Sequence, residues 1–246
     1  MPDKLGPVNP LKPGETPRAP WIVGVSGASG TPYAAAVLRG LLDAGESVDL
    51  VVSRASRLTL LDETGIAFRD AHWRDDLGEW LARGADGKPD TFDVDLGGVR
   101  HWSAGDLAAG PSSGSYVTKG MLIVPASTAC VAGVALGLSK DLLQRAASVT
   151  LKERRALVVA VRESPLNGQT LRHLVTLDDA GASVVPASPA FYAGATHIQD
   201  LVDFVAGRVL DAAGVPHGLY RRWEGELGGG AGPTAPTPRT SRTDNG

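Results

Sequence analysis

The chain has 246 residues, a length that suits one α/β domain with tails rather than two full domains. Hydrophobic residues make up 43% of it, enough for a sizeable core, and the formal net charge of −3 gives no sign of a nucleic-acid binder. The one cysteine, Cys130, excludes a disulfide framework within the chain and favours a cytoplasmic protein. The first residues lack the apolar segment of a secretory signal, and no apolar run is long enough to span a bilayer.

Short apolar segments alternate with helical patterns along the chain. In chain order, they predict a strand at 21–26, a helix at 32–44, a strand at 48–52, a helix at 54–63, a strand at 121–125, helices at 127–136 and 142–151, a strand at 156–161, a helix at 169–180, a strand at 183–185 and a helix at 198–213. Pro32 near the start of the first helix and Gly45 just past its end support its limits.

This alternation predicts a three-layer, Rossmann-like (flavodoxin-like) α/β fold, with a mostly parallel sheet and helices on both faces. The predicted flavoprotein domain spans 21–224, between a flexible arm at 1–20 and a disordered tail at 225–246. The stretch Arg83–Gly98 is predicted to be a surface insertion. Ligands in such sheets bind beyond the carboxyl ends of the strands, where we expect the motifs below to meet.

Two loops are rich in small residues. Gly27–Gly30 (GASG) links the first strand to the first helix, so its glycines would let a ligand approach the backbone and the helix N-terminus would attract an anion. A plain glycine-rich turn fits equally well. Ser112–Ser115 (SSGS) could donate hydroxyl groups to a phosphate or a flavin, with a flexible linker as the alternative.

A third motif, Ser127–Cys130, follows the 121–125 strand and opens a helix. Ser127 or Thr128 could contact a ligand, or could simply cap the helix. Cys130 is interpreted as a small buried residue rather than a nucleophile, because the sequence places no histidine beside it.

Charged residues cluster around the 156–161 strand. Arg154 and Arg155 are interpreted as a solvated face or subunit contacts. Arg162 follows the strand directly, and an arginine at the active rim of a sheet is well suited to bind a phosphate with its guanidinium fork. Glu163 could be its partner or an acid–base group, with a structural salt bridge as the alternative.

Aromatic residues and histidines are further candidates for ligand contacts. Tyr192, in the stretch PAFY, offers a hydroxyl to a phosphate, and Trp223 could cover a site or dock on a neighbour. The histidines are interpreted as ordinary surface or loop residues, because their spacing does not suit metal ligands: His72, His101, His173, His197 and His217.

In this order, the motifs resemble the flavin prenyltransferases of the UbiX type, over residues 21–223. The most specific stretch is RAASVTLKERRALVVAVRESPL (Arg145–Leu166), supported by PAFY (Pro189–Tyr192) and LVDFVAGRVLDAAG (Leu201–Gly214). The resemblance implies metal-independent transfer of the dimethylallyl group of dimethylallyl phosphate to N5 and C6 of reduced FMN. It also implies that the prenylated FMN serves a UbiD-type decarboxylase, and that neighbouring subunits complete each site, usually within a dodecamer.

The resemblance assigns roles to single positions. The implied FMN contacts are Gly27, Ala28, Ser29, Ser53, Ser127, Thr128, Ala129, Cys130 and Arg162. The implied binding site for the prenyl phosphate consists of Ser113, Gly114, Arg145, Lys152, Tyr192 and Arg208. The implied catalytic residues are Ser29, Glu63, Lys152, Glu163 and Trp223, with no metal ligand among them.

Two alternatives remain at this point. A flavin-dependent cysteine decarboxylase shares the architecture, and Pro125–Thr128 (PAST) resembles its PASANT motif, but the loop PASPAFYAG lacks that group's PxMNxxMW clamp. A non-catalytic flavin-binding protein is disfavoured by the complete set of acidic and basic residues above. The chain departs from the family at Ala126, where cysteine is usual, and at Ser148, where aspartate is usual.

Overall fold

The computed structural model describes residues 19–90, 92–223 and 225, so nearly all of the predicted arm and tail lie outside the described residues. The strands are β1 (Trp21–Val25), β2 (Val48–Val52), β3 (Val99–Ser103), β4 (Gly120–Ala126), β5 (Ala156–Val161) and β6 (Ser183–Pro186). The α-helices are α1 (Thr31–Asp43), α2 (Arg54–Thr64), α3 (Trp73–Leu81), α4 (Thr128–Ala135), α5 (Leu142–Lys152), α6 (Gly168–Asp179) and α7 (Ile198–Ala212). Short 3₁₀ turns occupy Asp70–His72 and Gly110–Ser112.

The strands form one six-stranded sheet in the order β3-β2-β1-β4-β5-β6, and each neighbouring pair is parallel. This is the order of doubly wound nucleotide-binding sheets, in which the direction of winding reverses between β1 and β4. The reversal opens a crevice at the carboxyl ends of these two strands. The Gly27–Gly30 turn and the start of α4 therefore lie at the position where such folds bind ligands.

Apolar side chains cover both faces of the sheet, which confirms the predicted three layers. Val23 and Val25 of β1 point into a cluster with α1, α3 and α7, whereas Ile22 points into a second cluster with α4 and α5. All five residues of β1 and of β2 are buried, as expected for central parallel strands.

The region between β2 and β4 contains two elements that the sequence analysis missed. Strand β3 reads VRHWS and lies at the edge of the sheet, where only Val99 is fully buried, so it carries no apolar run. Helix α3 buries Leu77, Trp80 and Leu81 beneath an otherwise charged surface. The predicted insertion, Arg83–Gly98, lies mostly on the surface, as expected.

The prediction that all histidines are surface or loop residues is wrong for His101, whereas His217 lies in the loop after α7, as predicted. The side chain of His101, on β3, is 4% exposed and packs between Phe68 and Trp73. Burial, together with the nearby Arg57, lowers the pKa of His101 to about 4 against the opposing effect of Asp70. The side chain of His217 is 2% exposed and contacts Asp211.

Candidate functional site

The Gly27–Gly30 turn is joined to the start of α4 through Ser26. The Ser26 hydroxyl donates to the Pro125 carbonyl oxygen at 2.8 Å and accepts from the Ser127 amide at 2.7 Å. A Cβ atom on Gly27 would lie 2.5 Å from the Cβ of Ala55 at the start of α2, so only glycine fits there. Three loops that follow three strands therefore meet at one rim, and Ser26, which the sequence analysis had placed inside a strand, joins two of them.

Glu63 lies against the N-terminus of α1. Its carboxylate accepts from the Gly30 amide at 2.9 Å, the Thr31 amide at 2.8 Å and the Thr31 hydroxyl at 2.6 Å. Burial favours the neutral acid, but hydrogen bonds from the Thr31 and Ser29 side chains and from the two amides outweigh it, so the pKa of Glu63 lies below its ordinary value. The end of α2 thus supplies a fixed negative charge beside Ser29.

Arg162 reaches the same turn from the end of β5. Its Nε donates to the Ser29 carbonyl oxygen at 3.1 Å, which holds the guanidinium at the mouth of the crevice. Glu163 instead accepts from the amide of Ser164 at 2.9 Å, so neither bond supports the alternative of an Arg162–Glu163 salt bridge. Glu63, Ser29 and Arg162 form a compact set of one anion, one hydroxyl and one cation.

The remaining predicted FMN contacts lie at the same rim, and two of them cap helices. Ser53 accepts from the Ser56 amide at the start of α2, and Ser127 accepts from the Cys130 amide at the start of α4. Both starts present backbone N–H groups to the crevice, as an anionic ligand requires. Burial raises the pKa of the Cys130 thiol to about 12, which supports the interpretation of Cys130 as an inert buried residue.

We expect Gly30→Ala to damage both stability and flavin binding. Gly30 has φ +114°, and a Cβ there would lie 2.7 Å from the Tyr33 ring. Backbone strain alone costs about 1–3 kcal/mol of unfolding free energy, and the ring must also move. Denaturant unfolding and FMN titration measure the two effects. Gly181→Ala is the matched control, because Gly181 has φ +94° with nothing near its Cβ position. Wild-type FMN affinity in Gly30→Ala would contradict the assigned role of the turn.

A second group of predicted residues lies along α5. Lys152 pairs with Glu153, and a Cβ on Gly114 would lie 2.6 Å from the Lys152 Nζ. Arg145 Nε donates to the Ser112 carbonyl oxygen at 3.0 Å, next to Ser113. The structure therefore brings Ser113, Gly114, Arg145 and Lys152 together, as expected for one binding site.

Lys152, in this second group, lies at the opposite end of the parallel strands from the Gly27–Gly30 turn. Lys152 ends the helix that leads into β5, whereas Arg162 follows the last residue of that strand. The six residues of β5 separate the two positions by about 20 Å, at 3.3 Å per residue. The expectation that the motifs all meet at the carboxyl ends of the strands is thus wrong within one chain. A helix that connects two parallel strands runs back along the sheet, so its last residue lies at the amino ends of the strands.

A third group lies between β6 and α7. Tyr192 packs edge-on against Phe204 and Trp223, with ring centroids 5.8 and 5.7 Å apart. Arg208 Nη1 donates to Asp211 at 3.0 Å and borders a cavity of about 570 Å³ that is also lined by Val184, Phe204 and Asp211. Trp223 remains 54% exposed and Phe191 78% exposed, so the aromatic surface around Tyr192 is open.

Asp211 holds Arg208 in place. Burial opposes ionisation of Asp211, but hydrogen bonds from Arg222, Tyr220 and His217 hold its pKa well below its usual range. The carboxylate is therefore charged at neutral pH and restrains the Arg208 guanidinium. Asp211 was not predicted as a site residue; its spacing of three residues from Arg208 on one helix is the signal that could have indicated the pair.

The described residues contain no cluster of three or more histidine, cysteine, aspartate or glutamate side chains that could hold a metal ion. None of the helices in this part of the chain is long and apolar enough to cross a membrane.

Comparison with known proteins places the chain in a family. Residues 11–210 match the family model described as Flavoprotein. The chain is 92% identical over 210 residues to the flavin prenyltransferase UbiX of Streptomyces coelicolor, covering 85% of this chain and 97% of that protein. It is 39% identical over 219 residues to UbiX of Synechocystis, covering 85% of this chain and 98% of that protein.

Solved structures agree. AnUbiX (PadA1), in complex with FMN and dimethylallyl pyrophosphate, matches with a TM-score of 0.71 and 32% identity over 85% of this chain and 100% of that one. A dodecameric FMN-dependent UbiX-like decarboxylase from Escherichia coli O157:H7 matches with a TM-score of 0.70 and 34% identity over 83% of this chain and 99% of that one. With the rim geometry and these relatives in agreement, the chain belongs to the UbiX family of flavin prenyltransferases.

Proposed function

We propose that this flavin prenyltransferase binds FMN at the Gly27–Gly30 rim and joins the dimethylallyl group of dimethylallyl phosphate to it there. The observation that carries the proposal is the arrangement of Arg162 and Glu63 on either side of Ser29, at the reversal point of the sheet. The rim suits the phosphate of FMN, because two helix starts lie beside the Gly27–Gly30 turn.

Reduced FMN supplies the nucleophilic N5 and C6 atoms of the reaction. The chain's residues bind the ligands and stabilise the charge of the departing phosphate, the role of Lys152, Arg145, Tyr192 and Arg208 together with Ser113 and Gly114. Trp223 offers an aromatic face to the positive allyl group. Glu63 lies against the Gly27–Gly30 turn and Glu163 follows Arg162, so these two carboxyl groups are the candidates to accept the proton.

The active site is shared between subunits in this proposal. Within one chain, Lys152 and Arg162 lie at opposite ends of strand β5. A neighbouring copy must therefore bring its Lys152 to the rim that carries Arg162. A closed homo-oligomer does this for every subunit at once. The dodecameric relative supports a dodecamer as the assembly. The product would serve a UbiD-type decarboxylase, and the single buried cysteine supports a cytoplasmic location.

Mass spectrometry of the flavin tests the function directly. The wild-type protein is incubated anaerobically with reduced FMN and dimethylallyl monophosphate, and in parallel with the diphosphate. We expect a flavin heavier by one prenyl unit with the monophosphate. Unmodified FMN in both incubations, from a protein that binds FMN, would reject prenyl transfer.

We expect Arg208→Ala to weaken binding of the prenyl phosphate more than binding of FMN. A lost charge-assisted contact to a phosphate corresponds to roughly a tenfold or larger rise in KM. Steady-state kinetics and FMN titration measure the two ligands separately. Arg221→Ala, a nearby arginine without an assigned role, is the control. Equal losses for both ligands in Arg208→Ala would contradict the assignment.

A further inference from the structure

Arg155 is bonded to the segment that carries Ser113 and Gly114. Its Nη1 donates to the Tyr116 carbonyl oxygen at 2.8 Å and to the Thr118 hydroxyl at 3.2 Å. Its Nη2 donates to the Gly114 carbonyl oxygen at 2.8 Å. One guanidinium therefore gathers three residues of a segment that has no regular secondary structure.

Two further contacts fix the same segment from other directions. The Tyr116 hydroxyl donates to the buried carboxylate of Asp49 at 2.7 Å, and burial together with this bond raises the pKa of Tyr116. At the other end, Arg145 binds the Ser112 carbonyl oxygen. These contacts hold Ser112–Thr118 in place, with Gly114 next to the ends of the Lys152 and Glu153 side chains.

The sequence alone gives Arg154 and Arg155 the same solvated or interface role, but the structure separates them. Arg154 is exposed and adopts φ +57° at the end of α5, whereas Arg155 is half-buried and donates three hydrogen bonds. The planar guanidinium of Arg155 has several N–H groups that point in different directions, so it can bind the acceptors of Gly114, Tyr116 and Thr118 at once. The single ammonium group of a lysine at this position could not reach all three.

We infer that Arg155 is a positioning residue for the prenyl phosphate: it holds Gly114–Thr118 so that Ser113 and Gly114 face the ligand beside Lys152. The inference rests on the proposed function, because it assumes that Lys152 and this segment bind the phosphate. Arg155 touches neither ligand and acts only through the segment that it binds.

The test compares Arg155→Met with Arg154→Met, which removes the same charge one residue away, and with Lys152→Met. Hydrogen–deuterium exchange follows the peptide 112–119, where the Tyr116 amide donates to the Ser113 carbonyl oxygen. Kinetics with dimethylallyl monophosphate and titration with FMN follow the two ligands. In Arg155→Met we expect faster exchange confined to this peptide and a KM about tenfold higher, with FMN affinity unchanged. Arg154→Met should match the wild-type protein.

Wild-type exchange and KM in Arg155→Met would overturn the inference, as would a parallel loss of FMN affinity and thermal stability, which marks a purely structural role. An unchanged KM in Lys152→Met would instead reject the phosphate site of the proposed function, while the exchange of peptide 112–119 still decides whether Arg155 orders it. Should Arg155→Met fail to fold, Arg155→Lys keeps the charge but loses the fork, and must shift exchange and KM in the same directions.

Discussion

Glu63→Gln is expected to slow prenylated-flavin formation by about a hundredfold or more, the usual contribution of a positioned acid–base group, while FMN still binds. The amide is not a base, and its NH₂ group replaces one of the two carboxylate oxygens that accept from the N–H groups of Gly30 and Thr31. Because those donors also begin α1, the change should lower the unfolding free energy by about 1–2 kcal/mol.

The stability effect of Glu63→Gln carries a pH signature. The pKa of Glu63 is depressed below its ordinary value of 4.5, so its contribution is fully present above that value and is lost as the pH falls through the depressed pKa. Chemical denaturation at several pH values should therefore show the two proteins converging as the pH falls below 4.5 and through the depressed pKa. Asp62→Asn, one residue earlier on an exposed part of α2, is the control. Wild-type turnover in Glu63→Gln would reject its catalytic role.

Lys152→Met is expected to lower kcat/KM for the prenyl phosphate by about a hundredfold, since it removes a cation from the place where phosphate charge develops. FMN binding should be unaffected, because Lys152 is assigned to the prenyl phosphate and is not among the FMN contacts. Single-turnover and steady-state kinetics measure the loss. Lys140→Met, an exposed lysine that precedes the same helix, is the control and should retain wild-type kinetics.

Mixing two inactive variants tests whether the site is shared. Subunits with Lys152→Met keep an intact Arg162 group, and subunits with Arg162→Ala keep an intact Lys152 group. In oligomers assembled from equal amounts, about a quarter of the sites combine both intact groups, so about a quarter of wild-type activity should return. No recovery in properly mixed oligomers would show that both groups of one site come from the same chain.

Most of the fold could be predicted because apolar runs mark its central strands. The predicted limits of β2 and β5 match the structure residue for residue, and those of the helices differ by only a few residues. Edge strand β3 could not be found this way, since its sequence VRHWS contains no apolar run and only Val99 is fully buried. The burial of His101 depends on Phe68 and Trp73, which approach it only through the tertiary fold.

The sequence nominates residues for the candidate site but does not give its geometry. The family resemblance nominates Glu63 and Lys152, and the place after a strand nominates Arg162, yet neither states at which end of the strands a residue lies. The order of elements contains that information: a residue just before a parallel strand and one just after it must lie a strand length apart. Arg155 was missed for a different reason, because its acceptors are backbone atoms of a distant loop, which no sequence pattern reveals.

The length of β5 has a consequence for how sequence changes in this protein will behave. Since the strand keeps the two ligand-binding groups apart within each chain, the distance between the reacting molecules is set by how neighbouring copies dock. A substitution on an outer helix face, remote from every ligand, can therefore impair turnover while leaving the fold and the affinity for flavin intact. In such variants, altered packing between subunits would be measured as a lower turnover number.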